Sequence, residues 1–114
     1  MLLPRELGEM IDTYHPVRVI NTVLDSLDID SIVKKYKAGG TSSYHPRMLL
    51  KVLVYAYICN EYSSRRIEQL CTRDVQFMWL AAMSTPDHNT INRFRSDKLK
   101  DVLKDVFTQI VTLF

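Results

Sequence analysis

From Pro46 to Ile58 the chain is apolar at almost every position: Met48, Leu49, Leu50, Val52, Leu53, Val54, Tyr55, Ala56, Tyr57 and Ile58. Valine and tyrosine suit a buried strand, but the length of the run and its leucines favour a helix. A helix that is apolar around most of its circumference has no side to offer to water. It must be enclosed by neighbours, so the remaining segments have to supply a shell around it.

Those segments read as further helices. Pro16 follows His15 and can occupy a first helical position, where its missing N–H costs nothing; Ile20, Val23, Leu24 and Leu27 then share a face. Asp28 or Asp30 can cap a short element carrying Ile29, Ile32, Val33 and Tyr36, which a loop of Gly39, Gly40, Thr41, Ser42 and Ser43 ends. Tyr44 is expected to pack that loop against the helix beginning at Pro46. Ser63 or Ser64 can cap a helix with Ile67, Leu70 and Cys71 inward, and Asp74 one with Phe77, Met78, Leu80 and Ala81. Thr85-Pro86-Asp87 reads as another start, with the hydroxyl as cap and proline in the first position. Ile91 and Phe94 face inward after it, and Leu99, Val102, Leu103, Val106, Phe107, Ile110 and Leu113 mark a final amphipathic helix over about 99–113. The junction near 96–100 is either continuous helix or a short break. The expected fold is a single all-α domain over 1–114, a compact multi-helix bundle of at least five helices containing a helix-turn-helix-like segment.

With 114 residues, 46% apolar, the chain can bury one modest core. Charges interrupt its apolar runs before the eighteen or so residues of a membrane span, and no leader pattern precedes the first periodic segment. Two cysteines are too few for a disulfide scaffold, so a reducing, cytoplasmic setting is expected. The net charge of +2 conceals an uneven distribution: residues 1–30 sum to −4, residues 31–60 to +5, and residues 61–114 to +1. Lys34, Lys35, Lys37, Arg47 and Lys51 supply the basic middle, which is either a phosphate track or an ordinary solvated face.

Metal and catalytic chemistry find little support. His15, His45 and His88 stand beside prolines or helix starts rather than in ligand spacing, and Cys59 and Cys71 read as small buried thiols. No glycine-rich phosphate loop is present, and the scattered aspartates are not assembled by their spacing into a two-metal centre. The most expressive segment is Trp79 to Arg95, which reads as helix, turn and capped helix. If Ile91 points inward, 100° per residue puts Asn89, Asn92, Arg93 and Ser96 on the opposite face. Asparagine can pair with adenine and arginine with guanine in the major groove, while serine can hold a phosphate oxygen. The same residue types are also what plain solvation would select. Arg95 falls nearer the inward edge, where it would pair with an acid or reach a flanking phosphate. Arg65 and Arg66, behind Ser63-Ser64, can clamp phosphates or be satisfied locally by Glu61 and Glu68.

Three ordered blocks, Tyr44-His45-Pro46-Arg47-Met48-Leu49-Leu50-Lys51, Ser63-Ser64-Arg65-Arg66-Ile67-Glu68 and Pro86-Asp87-His88-Asn89-Thr90-Ile91-Asn92-Arg93-Phe94-Arg95, carry a family resemblance. From about His15 onward the chain resembles the N-terminal domain of bacterial insertion-sequence transposases of the DDE type. The resemblance implies an all-helical module that engages the terminal inverted repeats of double-stranded DNA, ahead of a ribonuclease-H-like catalytic domain. It implies Mg²⁺ only for that later domain, whose three acids have no counterparts assignable here, so this chain is expected to be non-catalytic and without a cofactor of its own. On this basis Asn89, Asn92 and Arg93 are expected to face bases. Arg65, Arg66, Ser96 and the basic middle are expected to face phosphates, with Ile91 and Phe94 as core. The helix over 99–113 either pairs two copies or completes the monomer core.

Overall fold

Proline and histidine together start the two helices that meet at the centre. In the computed structural model, which describes residues 4–29, 44–99 and 108–109, α1 spans Pro4–Glu9, α2 Pro16–Asp25 and α3 Pro46–Ile58. These are followed by α4 (Ser64–Arg73), α5 (Val75–Leu80) and α6 (His88–Arg93), and α6 runs without a break into a π-helical turn, Phe94–Leu99. No strand occurs among the described residues, and the domain is all-α. The imidazole Nδ1 of His15 accepts the N–H of Val17 at 3.0 Å, and that of His45 accepts the N–H of Arg47 at 3.1 Å. Each ring thus takes the place that a serine or aspartate usually fills at a helix start, with proline following in the first turn.

The all-round apolar segment is the central helix. Leu49, Leu50, Val52, Leu53, Tyr55 and Ala56 of α3 are buried, and α2, α4, α5 and the π-helical turn all pack on it. Burial of a leucine side chain contributes about 1.5–3 kcal/mol relative to exposure, so α3 is held by its surroundings more than by its own propensity. Helix α1 had no counterpart in the sequence reading. It is anchored by buried Leu7, and buried Ile11 follows its end. Gly8 lies against the Trp79 indole of α5, where a Cβ would stand 3.4 Å from Nε1.

Two helices end in the same way. After α3, Asn60 is left-handed (φ 61°), its N–H donates to Tyr57 O at 3.1 Å, and Glu61 N donates to Ala56 O at 2.8 Å. After α5, Ala82 is left-handed (φ 51°), its N–H donates to Trp79 O at 3.1 Å, and Met83 N donates to Met78 O at 3.0 Å. Both pairs of bonds are those of a Schellman motif, which satisfies the last carbonyls and normally takes glycine at the left-handed position. Asparagine tolerates that conformation; alanine does not favour it.

The start of α6 lies two residues later than the sequence suggested. Asp87, not Thr85, is the cap: its Oδ1 accepts the N–H of Thr90 at 3.2 Å, and buried Pro86 stands before the helix rather than in its first turn. Thr85 instead offers its carbonyl to the Tyr44 hydroxyl at 3.1 Å, so Tyr44 ties the start of α3 to the approach to α6. The proposed element after Asp28, the glycine loop, Lys34, Lys35, Lys37 and nearly all of 99–113 fall outside the described residues. Within that last stretch Gln109 pairs in both directions with the Asp28 backbone, accepting its N–H at 2.9 Å and donating to its carbonyl at 3.0 Å.

Because Ala82 is exposed and left-handed, Ala82→Gly is expected to raise stability by about 1 kcal/mol, the steric cost removed less the greater backbone freedom of glycine. Urea denaturation of the two proteins checks this; an unchanged or lowered midpoint would show that the turn carries no such strain.

Candidate nucleic-acid interface

The described Lys and Arg side chains divide into two sets. Arg18, Arg47, Lys51 and Arg95 are partly buried and engaged within the fold, whereas Arg65, Arg66, Arg73 and Arg93 are exposed. The first set is consumed largely by helix ends and loops. Arg18 donates from Nη2 to the carbonyls of Gly8 and Ile11 and from Nε to Asp12 O at 3.1 Å, closing the end of α1, and its guanidinium lies 5.2 Å from the Trp79 ring centroid. Arg47 does the same for α2, donating from Nη1 to the carbonyls of Leu24 and Leu27. Lys51 Nζ lies 2.6 Å from Asp25 Oδ1 and 2.7 Å from Asn21 Oδ1, with its side chain only 13% exposed.

Arg47 and Lys51 therefore leave the phosphate track to which the charge count assigned them. Arg47 would have to abandon the carbonyls of buried Leu24 and Leu27 to meet a phosphate, which costs about 1.5–3 kcal/mol for a charged donor, and Lys51 would have to leave the exposed Asp25 carboxylate and the half-buried Asn21 amide. The rest of that track, Lys34, Lys35 and Lys37, lies outside the described residues.

The second set belongs entirely to α4 and α6, which pack on each other. Ile67, Leu70 and Cys71 turn α4 into the core, and Ile91 and Phe94, each 1% exposed, do so for α6 and the turn after it. The two helices are also fastened by polar contacts along their seam. The Glu68 carboxylate accepts the backbone N–H of His88 at 3.0 Å and lies 3.3 Å from the His88 ring Nδ1. Buried Ser64 donates its hydroxyl to Asn92 Oδ1, while Arg95 Nη2 donates to Ser64 Oγ at 2.6 Å and to Asn92 Oδ1 at 3.0 Å. Arg95 Nη1 reaches Tyr62 O, just before α4, at 2.6 Å. Arg95 is thus neither paired with an acid nor directed to a phosphate; it stitches the α4 start to the α6 end.

This seam corrects one of the expected base contacts. Asn92 is exposed, but its carbonyl oxygen already accepts from Ser64 and Arg95, which fills both lone pairs. A bidentate asparagine contact to adenine needs that oxygen as an acceptor for the adenine amino group. Asn92 is therefore a seam residue. Asn89, Arg93 and Ser96 remain exposed on the outer side of α6 and its continuation. A turn joins α5 to α6, but α6 leans chiefly on α4 and the π-helical turn.

On α4, Arg65 is exposed and Arg66 Nε stands 3.8 Å from Glu61, at the outer limit of an ion pair. The local pairing of Arg65 with Glu68 is not formed, because Glu68 is spent on His88. Arg73 is an exposed cation that the sequence reading passed over; its spacing of seven from Arg66 was the signal that places both on one line of the helix. Among the described residues no cluster of His, Cys, Asp and Glu could hold a metal ion. Burial pushes the Cys71 thiol up to about 12, aided by the nearby Asp74 charge, so it stays protonated at neutral pH.

A family model described as a transposase domain (DUF772) matches residues 5–97. The chain belongs to that family. No curated protein and no solved structure matches it. The match to the transposase domain covers all six helices almost completely, including the α4–α6 pair with its exposed arginines. No helix among the described residues is long and apolar enough to cross a membrane.

The cap of α6 has a pH signature. Hydrogen bonds from the Thr90 side chain and then its backbone N–H hold the Asp87 carboxyl below its ordinary value of 3.8. A lowered carboxyl contributes its stability above the ordinary value and loses it as pH falls through the lowered one. Asp87→Asn retains an acceptor but cannot titrate, so its thermal midpoint should fall less steeply than that of the parent as pH drops below about 4. Identical slopes would show that the Asp87 cap does not stabilise the fold.

Proposed function

We propose that this transposase-family domain is the non-catalytic DNA-binding part of a longer DDE-type insertion-sequence transposase, placed N-terminal to the catalytic domain. It engages the terminal inverted repeats of the mobile element as duplex DNA. The Mg²⁺ that such a reaction uses belongs with the acids of the later domain, and a cytoplasmic, nucleoid-associated location follows from the substrate. The observation that carries this reading is the sorting of cations: every described basic side chain left exposed lies on the two packed helices α4 and α6.

Asn89 and Arg93 are the base-reading groups in this reading. Both lie on a short helix whose inward side is locked by Ile91 and Phe94, so their outward direction is set by the core. Arginine can donate two bonds to the O6 and N7 of guanine, and asparagine can bridge the amino group and N7 of adenine. Arg65, Arg66 and Ser96 supply phosphate contacts beside them. Such contacts hold register and orientation and add affinity without sequence preference. The Ser64–Asn92–Arg95 cluster keeps the reading helix and the phosphate helix at a fixed angle.

Titration of the chain against a duplex from the element end and a scrambled duplex of the same composition tests the proposal. The parent should prefer the element end, and Arg93→Ala should weaken the matched duplex by about 1–3 kcal/mol more than the scrambled one. Failure of the parent to bind either duplex would overturn the function. Unchanged discrimination in Arg93→Ala would remove that residue from the base-reading set.

A further inference from the structure

The exposed side of α4 carries more cationic surface than its N-terminal arginine pair. At 100° and 1.5 Å per residue, Arg66 and Arg73 fall on one line of the helix about 10 Å apart, with Gln69 between them. Arg65 and Thr72 occupy the neighbouring line, on the side towards α6. All five residues are exposed. Three carboxylates are close enough in sequence to cancel this charge. Glu68 is turned to the seam, where it accepts the N–H of His88. Asp74 is turned to the start of α5, where its Oδ1 accepts the N–H groups of Gln76 at 3.0 Å and Phe77 at 3.3 Å. Glu61 alone approaches, at 3.8 Å from Arg66 Nε. Capping α5 and α6 thus turns two acids away from the outer face of α4, and among the described residues Arg65 and Arg73 have no ion-pair partner.

We infer that the outer face of α4, from Arg66 through Gln69 to Arg73, is a phosphate-tracking surface that lies along the sugar-phosphate backbone of a duplex. This rests on the duplex-binding reading and extends it: Arg73 and Gln69 join the contacts, and α4 lies lengthwise on the backbone instead of presenting only its first turn. The occupant is identified by charge. A row of exposed cations met by one acid, Glu61 at the Arg66 end, suits a regular polyanion, and the same row would repel a basic partner surface. Gln69 can donate its amide N–H to a phosphate oxygen between the two arginines.

Binding of the 114-residue chain to a mixed-sequence duplex, measured between about 50 and 200 mM salt, tests the inference, because a backbone contact is independent of sequence. Arg73→Ala should weaken binding several-fold and lower the slope of log affinity against log salt by about one. Arg73→Lys keeps the charge and should keep the slope. Having no ion-pair partner to lose, the Arg73→Ala protein should fold as the parent does, with at most the small fall in thermal midpoint that removing a cation from a last helical turn brings. If the parent binds the duplex and Arg73→Ala binds with the same affinity and slope, the α4 track is overturned while the duplex reading stands. If the parent itself shows no salt-dependent binding, the reading beneath it fails and the track falls with it.

Discussion

Short helices have many ends, and every end leaves backbone groups that need partners. Here α1, α5 and α6 are each six residues long, so most of their N–H and C=O groups lie in a first or last turn. The chain meets that demand with side chains of unusual reach. Arg18 closes α1 and Arg47 closes α2, while Asp74 opens α5 and Asp87 with Glu68 opens α6. Two histidine rings and Ser63 start the longer helices. Charged groups in this domain are therefore largely part of the scaffold, and what remains outside the scaffold is what can meet a partner.

That division produces the asymmetry of the surface. Carboxylates settle at helix starts, where the exposed N–H groups and the positive end of the dipole favour them; guanidinium groups settle on the carbonyls at helix ends. Once Glu68 and Asp74 have been used in this way, Arg65 and Arg73 of α4 keep their charge without an ion-pair partner among the described residues, and Arg66 meets only Glu61. The Ser64–Asn92–Arg95 cluster adds rigidity at the place where it matters, since a partly buried polar network is tolerated only when its members satisfy one another. A fold that depends on helix-end bonds and a surface that offers cations from two adjoining helices are thus consequences of the same bookkeeping of hydrogen bonds.

Much of this was readable in the residues and some was not. The central role of α3 follows from apolar side chains on every side of one helix, and the inward positions of Ile91 and Phe94 follow from their spacing. Helix α1 escaped notice because Leu7 and Ile11 are only two apolar anchors, and its docking depends on a distant Trp79. The start of α6 was misplaced because Thr85-Pro86 is a good local start signal; the decisive partner, Glu68, comes from another helix. Charge counting along the chain has no access to the carbonyls that absorb Arg47, nor to the Asp25 and Asn21 that absorb Lys51. Asn92 shows the limit of angular reasoning: one residue at the edge of an outer face can turn to its neighbour. Arg73, by contrast, was legible from its spacing to Arg66.

The central claim is that arginines divide into a scaffold set and a set available to duplex DNA, and side-chain NMR observes this division residue by residue. With ¹⁵N-labelled protein and an added duplex, the Nε–H resonances of Arg65, Arg66, Arg73 and Arg93 should move, while those of Arg18, Arg47 and Arg95 stay in place. Movement concentrated in Arg18, Arg47 and Arg95, or movement in neither set at duplex saturation, would contradict the account.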